Sequence, residues 1–356
     1  MLSFNEIFAD STKHCKKIKT DEYHETGKNM IVDQGQSEIA GYTDLEEGLF
    51  SDVPAIIFGD HTRIIKYVDK PFFIGADGVK VLKSKLEKAN YRYLYYALKN
   101  VKIPNTGYNR HFKWLKETIF NYPNSDGQQE IVLILDKLQS IITHLRTQLE
   151  KLDLLVKSRF VEMFGNIENM CTIADVCSII TDGTHQPPKF TTDGIPFLFV
   201  SNIATNEIVY NAEKFISEET YNDLYKRTPI EIGDIILSTV GSYGHPAIVK
   251  TNKKFLFQRH IAYLKPIPTT INSIYLHRAI LSDNVQRQID ERVKGIAQKT
   301  LNLSEIRKIV IPAPPLELQT QFANFVKQVD QSKSILQQEL TQTQTLFNSL
   351  MQEYFG

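Results

Sequence analysis

Two separate sets of long polar side chains fall where the sequence predicts loops. The first set is Asn29, Gln34, Tyr42, His61, Arg63, Asn109 and Arg110; the second is Thr184, His185, Gln186, Lys189, Ser242, Tyr243, His245, Arg259 and Lys299. Arginine and lysine can donate to guanine, asparagine and glutamine match adenine, and serine, threonine and tyrosine assist, so these are side-chain types that read base edges. Each also has a plainer use. His61, His185 and His245 can hydrogen-bond within turns, and Asp60 or Asp182 beside glycine is ordinary turn chemistry. The tip Gly241-Ser242-Tyr243-Gly244 could cradle a phosphate through its main-chain amides, although two glycines at that spacing are common in plain loops.

Constellations that would do covalent chemistry are not legible. A methyltransferase needs an Asn/Asp-Pro-Pro-aromatic motif, and the nearest string, Asn121-Tyr122-Pro123-Asn124, has the wrong order. A nuclease needs clustered carboxylates and a lysine to hold Mg²⁺ at the scissile phosphate, and Glu291-Arg292-Val293-Lys294 supplies only a loose fragment of that pattern. There is no Gly-Lys-Ser/Thr loop for ATP. Cys15, Cys171 and Cys177 lack the spacing of a zinc site, and a reduced cytoplasmic setting is the default expectation. Glu6, Asp10 and Lys13 interrupt the stretch where a signal peptide would need an apolar core, and no apolar run reaches membrane-spanning length.

Charge restrains the nucleic-acid reading. The 41 basic residues equal the 41 acidic ones, whereas a lone DNA-binding module is usually basic because phosphate neutralisation supplies most non-specific affinity. A basic patch must therefore be local, or a partner supplies part of the grip.

The elements that would position the two sets are duplicated. From Pro123 to Gly165 and from Pro314 to Gly356 one helical block recurs without a gap, each residue falling on the one 191 positions later. Gln128 falls on Gln319, Leu145 on Leu336, Leu155 on Leu346, Glu162 on Glu353 and Phe164 on Phe355. In the first block Ile131, Leu135, Leu138, Ile142, Leu145, Leu149, Leu152 and Val156 alternate steps of four and three, which is a coiled-coil seam. The second repeats it with Phe322, Val326, Val329, Leu336, Leu340, Phe347 and Leu350, interrupted by Lys333 and Thr343; polar seam residues weaken a coiled coil but fix its register. The first helix, read from Asp126 to Met163, would be roughly 57 Å long, on the order of 17 base pairs of duplex.

The stretches 1–122 and 166–313 predict a mixed α+β fold with a shared order of elements. Val53 to Phe58, Ile64 to Val68 and Gly78 to Leu82 read as strands and Tyr91 to Lys99 as a helix; Ile235 to Leu237, Ala247 to Val249, His260 to Leu264 and a helix from Ser273 to Leu281 form the parallel series. A lead-in before each long helix matches at the same offset, with Asn109 on Thr300, Phe112 on Leu303, Lys116 on Arg307 and Ile119 on Val310. The expected organisation is two similar globular domains (1–122 and 166–313) with long helices at 123–165 and 314–356. If equivalent helices pair, a pseudo-two-fold axis makes them antiparallel and puts the globular domains at opposite ends.

Several stretches carry a family resemblance. Asp182-Gly183-Thr184-His185-Gln186-Pro187-Pro188 with Gly194-Ile195-Pro196-Phe197-Leu198 is one, and Gly233-Asp234-Ile235-Ile236-Leu237-Ser238 is another. A third is Gln298-Lys299-Thr300-Leu301-Asn302-Leu303 leading to Ile311-Pro312-Ala313-Pro314-Pro315-Leu316-Glu317-Leu318-Gln319. In the first half Gly59-Asp60-His61-Thr62 and Gly75-Ala76-Asp77-Gly78-Val79-Lys80 resemble another variety of the same domain. Together these resemble the specificity subunit of a type I restriction-modification system, over essentially the whole chain. Leu318 departs from the glutamate common there, and Asn124-Ser125-Asp126-Gly127 replaces the proline-rich run in the first copy.

The resemblance implies a non-catalytic reader of double-stranded DNA in which each globular domain, a target-recognition domain, reads half of a split asymmetric site. It implies paired helices that fix the spacer and dock two methyltransferase subunits, with restriction translocase-nuclease subunits completing the complex. S-adenosylmethionine, Mg²⁺ and ATP would belong to those partners, and this chain would hold no cofactor or metal. The competing expectation is a coiled-coil scaffold carrying two protein- or glycan-binding modules. Two divergent polar loop sets on one frame speak for a reader, since a scaffold would more naturally expose aromatic and aliphatic anchors.

Overall fold

The computed structural model describes residues 1–75, 77–107, 109–295 and 299–356. Ala76 and Gln298, which belong to two of the motifs above, lie outside the described residues. The chain divides into two units, Met1–Arg146 with Gln337–Gly356, and Thr147–Leu336.

The first unit opens with β1 (Leu2–Ser3), α1 (Phe4–Ile7), β2 (Phe8–Asp10), β3 (Lys17–Ile18), β4 (Asn29–Val32) and β5 (Gly41–Thr43). It continues with β6 (Ala55–Gly59), β7 (Ile65–Val68), β8 (Phe72–Gly75), β9 (Val79–Ser84), α2 (Tyr91–Lys99), α3 (Phe112–Lys116), β10 (Ile119–Phe120) and the 40-residue α4 (Ser125–Phe164), whose first part belongs to it. The second unit holds β11 (Met170–Thr172), α5 (Ile173–Val176), β12 (Cys177–Asp182), β13 (Ile195–Leu198), β14 (Lys214–Ile216), α6 (Glu218–Tyr225), β15 (Ile235–Ser238), β16 (Pro246–Ile248), β17 (Leu256–Phe257) and β18 (Ile261–Pro266). Helices α7 (Ser273–Ile280), α8 (Asp283–Arg292) and α9 (Leu303–Arg307), strand β19 (Val310–Pro312) and the 40-residue α10 (Leu316–Phe355) complete the chain.

Both units are built on one plan. The antiparallel sheet β2-β9-β6-β7 of the first corresponds strand for strand to β12-β18-β15-β16 of the second. In a second sheet, β3-β8-β4-β5, the part β8-β4-β5 corresponds to β17-β13-β14, and β4 and β13 each have one parallel and one antiparallel neighbour. The inner strands β6 and β15 are almost wholly apolar because both faces are covered. Side chains alternate across a strand, so Ile56, Phe58 and Leu82 pack beneath α2 with Tyr93 and Leu94, while Ala55, Ile57 and Val81 meet Val32, Phe72 and Ile74 of the other sheet. Likewise Ile235, Leu237 and Leu264 meet Tyr275 and Leu276 of α7, and Ile236 and Tyr263 meet Leu198 and Phe257.

Smaller devices are duplicated as well. Ser3 and Glu6 close a capping box on α1, with the Ser3 main-chain N–H donating at 2.7 Å; Thr172 and Asp175 do the same on α5 at 2.8 Å. Reciprocal bonds of this kind satisfy donors that a helix start leaves open. Asn90 caps α2 and Asn272 caps α7. The Tyr93 hydroxyl donates to the Asn121 carbonyl and that of Tyr275 to the Pro312 carbonyl, both at 2.7 Å. Phe355 packs on Tyr93 and Phe164 on Tyr275, with ring centroids 5.2 and 4.8 Å apart.

Each long helix therefore contributes to both cores. Within the second unit α4 and α10 run antiparallel, since Phe160 meets Phe322 while Asp153 pairs with Lys333 at 2.6 Å. Lys333, one of the two residues that interrupt the apolar seam, thus ties the two helices by charge. Within the first unit Leu135 and Ile142 of α4 bury with Phe347 and Met351 of α10. Among the described residues no helix is long and apolar enough to cross a membrane.

Candidate nucleic-acid interface

In the second unit four loops are bonded together at one end of the β12-β18-β15-β16 sheet. The Arg259 N–H donates to the Thr184 carbonyl at 3.0 Å, that of Thr239 to His260 at 2.9 Å, and that of Gly241 to Lys299 at 3.2 Å. These bonds bring Thr184, His185, Ser242, Tyr243, Arg259 and Lys299 onto one loop surface. His185, Ser242, Arg259 and Lys299 are exposed; Thr184 and Tyr243 are half-buried. Gln186 and Lys189 continue the same loop as exposed side chains.

Several of these groups are held by partners that the sequence did not reveal. The Asp182 carboxylate accepts Arg227 Nη2 at 2.6 Å and stands 3.0 Å from His185 Nε2. His245 Nδ1 lies 3.0 Å from Asn206 Oδ1, where Asn206 takes a left-handed conformation with φ 63°. Tyr243 donates its hydroxyl to Asp290 at 3.0 Å, and Lys299 Nζ lies 5.9 Å from the Tyr243 ring centre. His260 beside Arg259 is held neutral further into the acid range than an ordinary histidine, first by burial and then by the arginine charge. Arg227, Asn206 and Asp290 are remote in sequence from the side chains they meet, so no local pattern marked them.

In the glycine tip, two of the four main-chain amides are engaged within the protein. Gly241 and Gly244 both have positive φ, and their N–H groups donate to the Lys299 and Ser238 carbonyls. A phosphate contact at the tip would therefore fall to its other amides and to the exposed Ser242 side chain.

The first unit gathers a corresponding cluster around the β6–β7 turn. Gln34 Nε2 donates to the Asp77 carbonyl at 2.7 Å, and Gln34 Oε1 accepts the His61 N–H at 3.2 Å. The Asp77 carboxylate pairs with Lys17; that hydrogen bond, with Arg110 and His61 nearby, holds it below the usual carboxylate range. Behind the turn lies buried Asp60, whose Oδ1 accepts the Phe112 N–H at 2.7 Å and whose carbonyl accepts the His111 N–H at 2.8 Å. The β6–β7 turn is thereby fastened to the start of α3, directly after exposed Asn109 and Arg110. Lys66, buried on β7, donates to the Ser37 carbonyl at 2.6 Å and pins the loop that carries Gln34.

Not every candidate joins this cluster. Arg63 turns inward, its Nη1 reaching the Ile103 carbonyl at 3.5 Å. Asn29 stands at the opposite end of β4 from Gln34, and its amide donates to Leu45 at 2.7 Å. Tyr42 is half-buried on β5 opposite Met30. Gln34, His61 and Arg110 are the three drawn together. Among the described residues no group of histidine, cysteine, aspartate and glutamate is placed to hold a metal ion. Cys177 is buried, which pushes its thiol up to about 12, away from nucleophilic use at neutral pH.

Known proteins with the same arrangement are consistent in kind. The sequence pattern described as the type I restriction modification DNA specificity domain matches residues 4–153 and again 168–344. The chain is 29% identical over 171 residues to the EcoBI type I restriction enzyme specificity subunit of Escherichia coli, 48% of this chain and 36% of that protein. It is 22% identical over 315 residues to the MjaVIII specificity subunit of Methanocaldococcus jannaschii, 78% of this chain and 74% of that one. The match thus spans about a third of the first relative. By structure, the type I restriction-modification S subunit from M. genitalium superposes with a TM-score of 0.60 at 16% identity, over 100% of this chain and 98% of that one. A chain from a type I restriction-modification assembly superposes with a TM-score of 0.53, also at 16% identity, over 99% and 95%. At such identities the likeness speaks for the fold alone.

Proposed function

The chain belongs to the family of the type I restriction modification DNA specificity domain, and from that premise we propose that it is the non-catalytic DNA-reading subunit of a type I restriction-modification complex. Each unit reads one half of a split, asymmetric site on double-stranded DNA. The loop cluster around Thr184, His185, Ser242, Arg259 and Lys299 serves one half, and that around Gln34, His61 and Arg110 serves the other. The two long helices set the spacing and dock two methyltransferase subunits, which carry the S-adenosylmethionine chemistry. Translocase-nuclease subunits, where present, carry the ATP and Mg²⁺ chemistry.

One observation carries this reading: the same sheet order occurs in both units, while the loops at its end bear different polar side chains. A duplicated frame with divergent tips gives two independent short readings. Joining them raises the effective concentration of the second reading once the first has formed. A wrong spacing cannot satisfy both without bending or twisting the duplex, which costs energy. Support for partner docking comes from Leu155 and Leu346, which occupy matched positions on the two helices and are 46% and 50% exposed. Exposed leucines repeated at equivalent places suit a surface that two copies of one partner cover. Chain neutrality then has a reason, because the partners add phosphate contacts.

The test is co-expression with the candidate modification subunit, followed by single-molecule mapping of methyladenine. A split motif with a fixed spacer is expected, and replacing one unit by that of a relative should change one half of the motif only. A stable complex that methylates without sequence preference would refute the proposal.

A further inference from the structure

The two units differ at one structural place that DNA reading does not explain. In the second unit the exposed edge of β19 is closed from within. Gln288 of α8 donates its amide to the Val310 carbonyl at 2.8 Å and accepts the Val310 N–H at 3.0 Å. Val285 and Ile289 of the same helix enter the core. In the first unit the residue matched to Val310 is Ile119 on β10, and among the described residues between α2 and α3 there is no counterpart of α8. Among the described residues no side chain takes the role of Gln288 on Ile119, whose own side chain is 64% exposed. A cavity of about 340 Å³ lies beside it, floored by Ala97, Val101, Phe120 and Phe355 and edged by Lys102.

A strand edge with open main-chain groups beside a hollow of mixed polar and apolar lining is a ready docking template. We propose that this edge and cavity take a short helix of the modification subunit, which presents an amide side chain to the Ile119 main chain and an apolar one to the cavity. The second unit shows how such a helix fits, because α8 closes the matched edge there with one glutamine and two aliphatic side chains. Lys102 on the rim favours a helix with an acidic residue. Only the first unit is open at this place, so the two partner copies would be held by different contacts. The inference rests on the specificity-subunit reading.

The experiment is amide hydrogen exchange on the full chain, free and in complex with the co-expressed modification subunit. Exchange at Ile119 should slow at least tenfold in the complex, and exchange at Val310 should not change. An Ile119→Asp variant, placed on an exposed side chain, should weaken assembly about tenfold while leaving exchange elsewhere in the free chain unaltered. A complex that forms with Ile119 exchanging as in the free chain overturns the docking site and leaves the functional reading intact. Failure of any complex to form removes both.

Discussion

Nε2 of Gln319 donates to the carbonyl of Pro314 at 2.9 Å, five residues back, where α10 begins. The matched pair on α4 repeats it, with Gln128 donating to Pro123 at 2.8 Å. Both glutamines are buried, yet their surroundings differ. Gln319 also donates to Thr270 at 3.3 Å and accepts the N–H of Asn272 at 2.8 Å, so it fastens the start of α10 to the cap of α7. A buried donor left without its acceptor costs about 1–3 kcal/mol. Gln319→Ala should therefore destabilise the second unit by about 2–3 kcal/mol, and Gln128→Ala the first by about 1 kcal/mol. Denaturant unfolding followed by a probe in each unit measures both, and equal losses would contradict the argument.

His277 on α7 sets a pH dependence for the second unit. Its Nε2 lies 3.2 Å from the Asn206 carbonyl and 3.1 Å from that of Pro246, so this nitrogen carries the proton of the neutral ring. Burial first, then the charge of Arg278, drops its pKa to about 4; the two carbonyls oppose this and Lys250 adds to it. The unfolded chain, with an ordinary histidine value near 6.5, takes up the proton first as pH falls. Stability is thus full above about pH 6.5, declines between there and about pH 4, and levels below, by on the order of 3 kcal/mol in all. Unfolding midpoints at pH 7 and 4.5 should show this decline, and His277→Gln should flatten it. An unchanged slope in the variant would assign the effect to other groups.

Asp60 links a reading loop to the frame of the first unit. Its carboxylate is the acceptor for the Phe112 N–H at the start of α3. Asp60→Ala should cost about 2 kcal/mol and loosen the segment bearing Asn109 and Arg110. Asp60→Asn keeps an acceptor oxygen and should be milder. In methylation mapping the alanine variant should relax one half of the motif and spare the other. Equal relaxation of both halves would show that the contact does not act locally.

The long helices are legible because a seam of fours and threes runs from Ile131 to Val156, about seven turns, between Pro123 and Gly165. Helix α2 is legible to its ends, and β6, β7, β9, β15, β16 and β18 to within two residues, since their buried positions are apolar. Strands β3 and β17, two residues long, offer no period to detect, and β4, β5, β8, β13 and β14 are scarcely longer. The capping boxes at Ser3 and Thr172 are not legible as a repeat, because their spacing differs from the 191-residue offset of the helices. Among polar residues, type and loop position identified the exposed set, but not what holds each side chain. Arg227 reaches Asp182 from 45 residues away, and only folding shows that the aspartate is more than a turn residue. Arg63 illustrates the converse, because a left-handed φ of 62° turns an apparent surface cation inward.

That difference between held and open cations gives a test of how the second unit grips DNA. Arg227 is paired with Asp182, whereas among the described residues neither Arg259 nor Lys299 meets a carboxylate. A cation already neutralised by a carboxylate displaces fewer counterions from the duplex than an open one. Each phosphate neutralised contributes a slope of about −0.9 to the dependence of log affinity on log salt. Arg259→Ala and Lys299→Ala should each make that slope shallower by about this amount where the contact is to phosphate. Arg227→Ala should change it less, and should instead free His185 to move and broaden the bases accepted at one half-site. Affinities of the assembled complex for duplexes at several salt concentrations separate the cases. If all three variants shift the slope equally, Asp182 does not screen Arg227 at the interface and the division of roles fails.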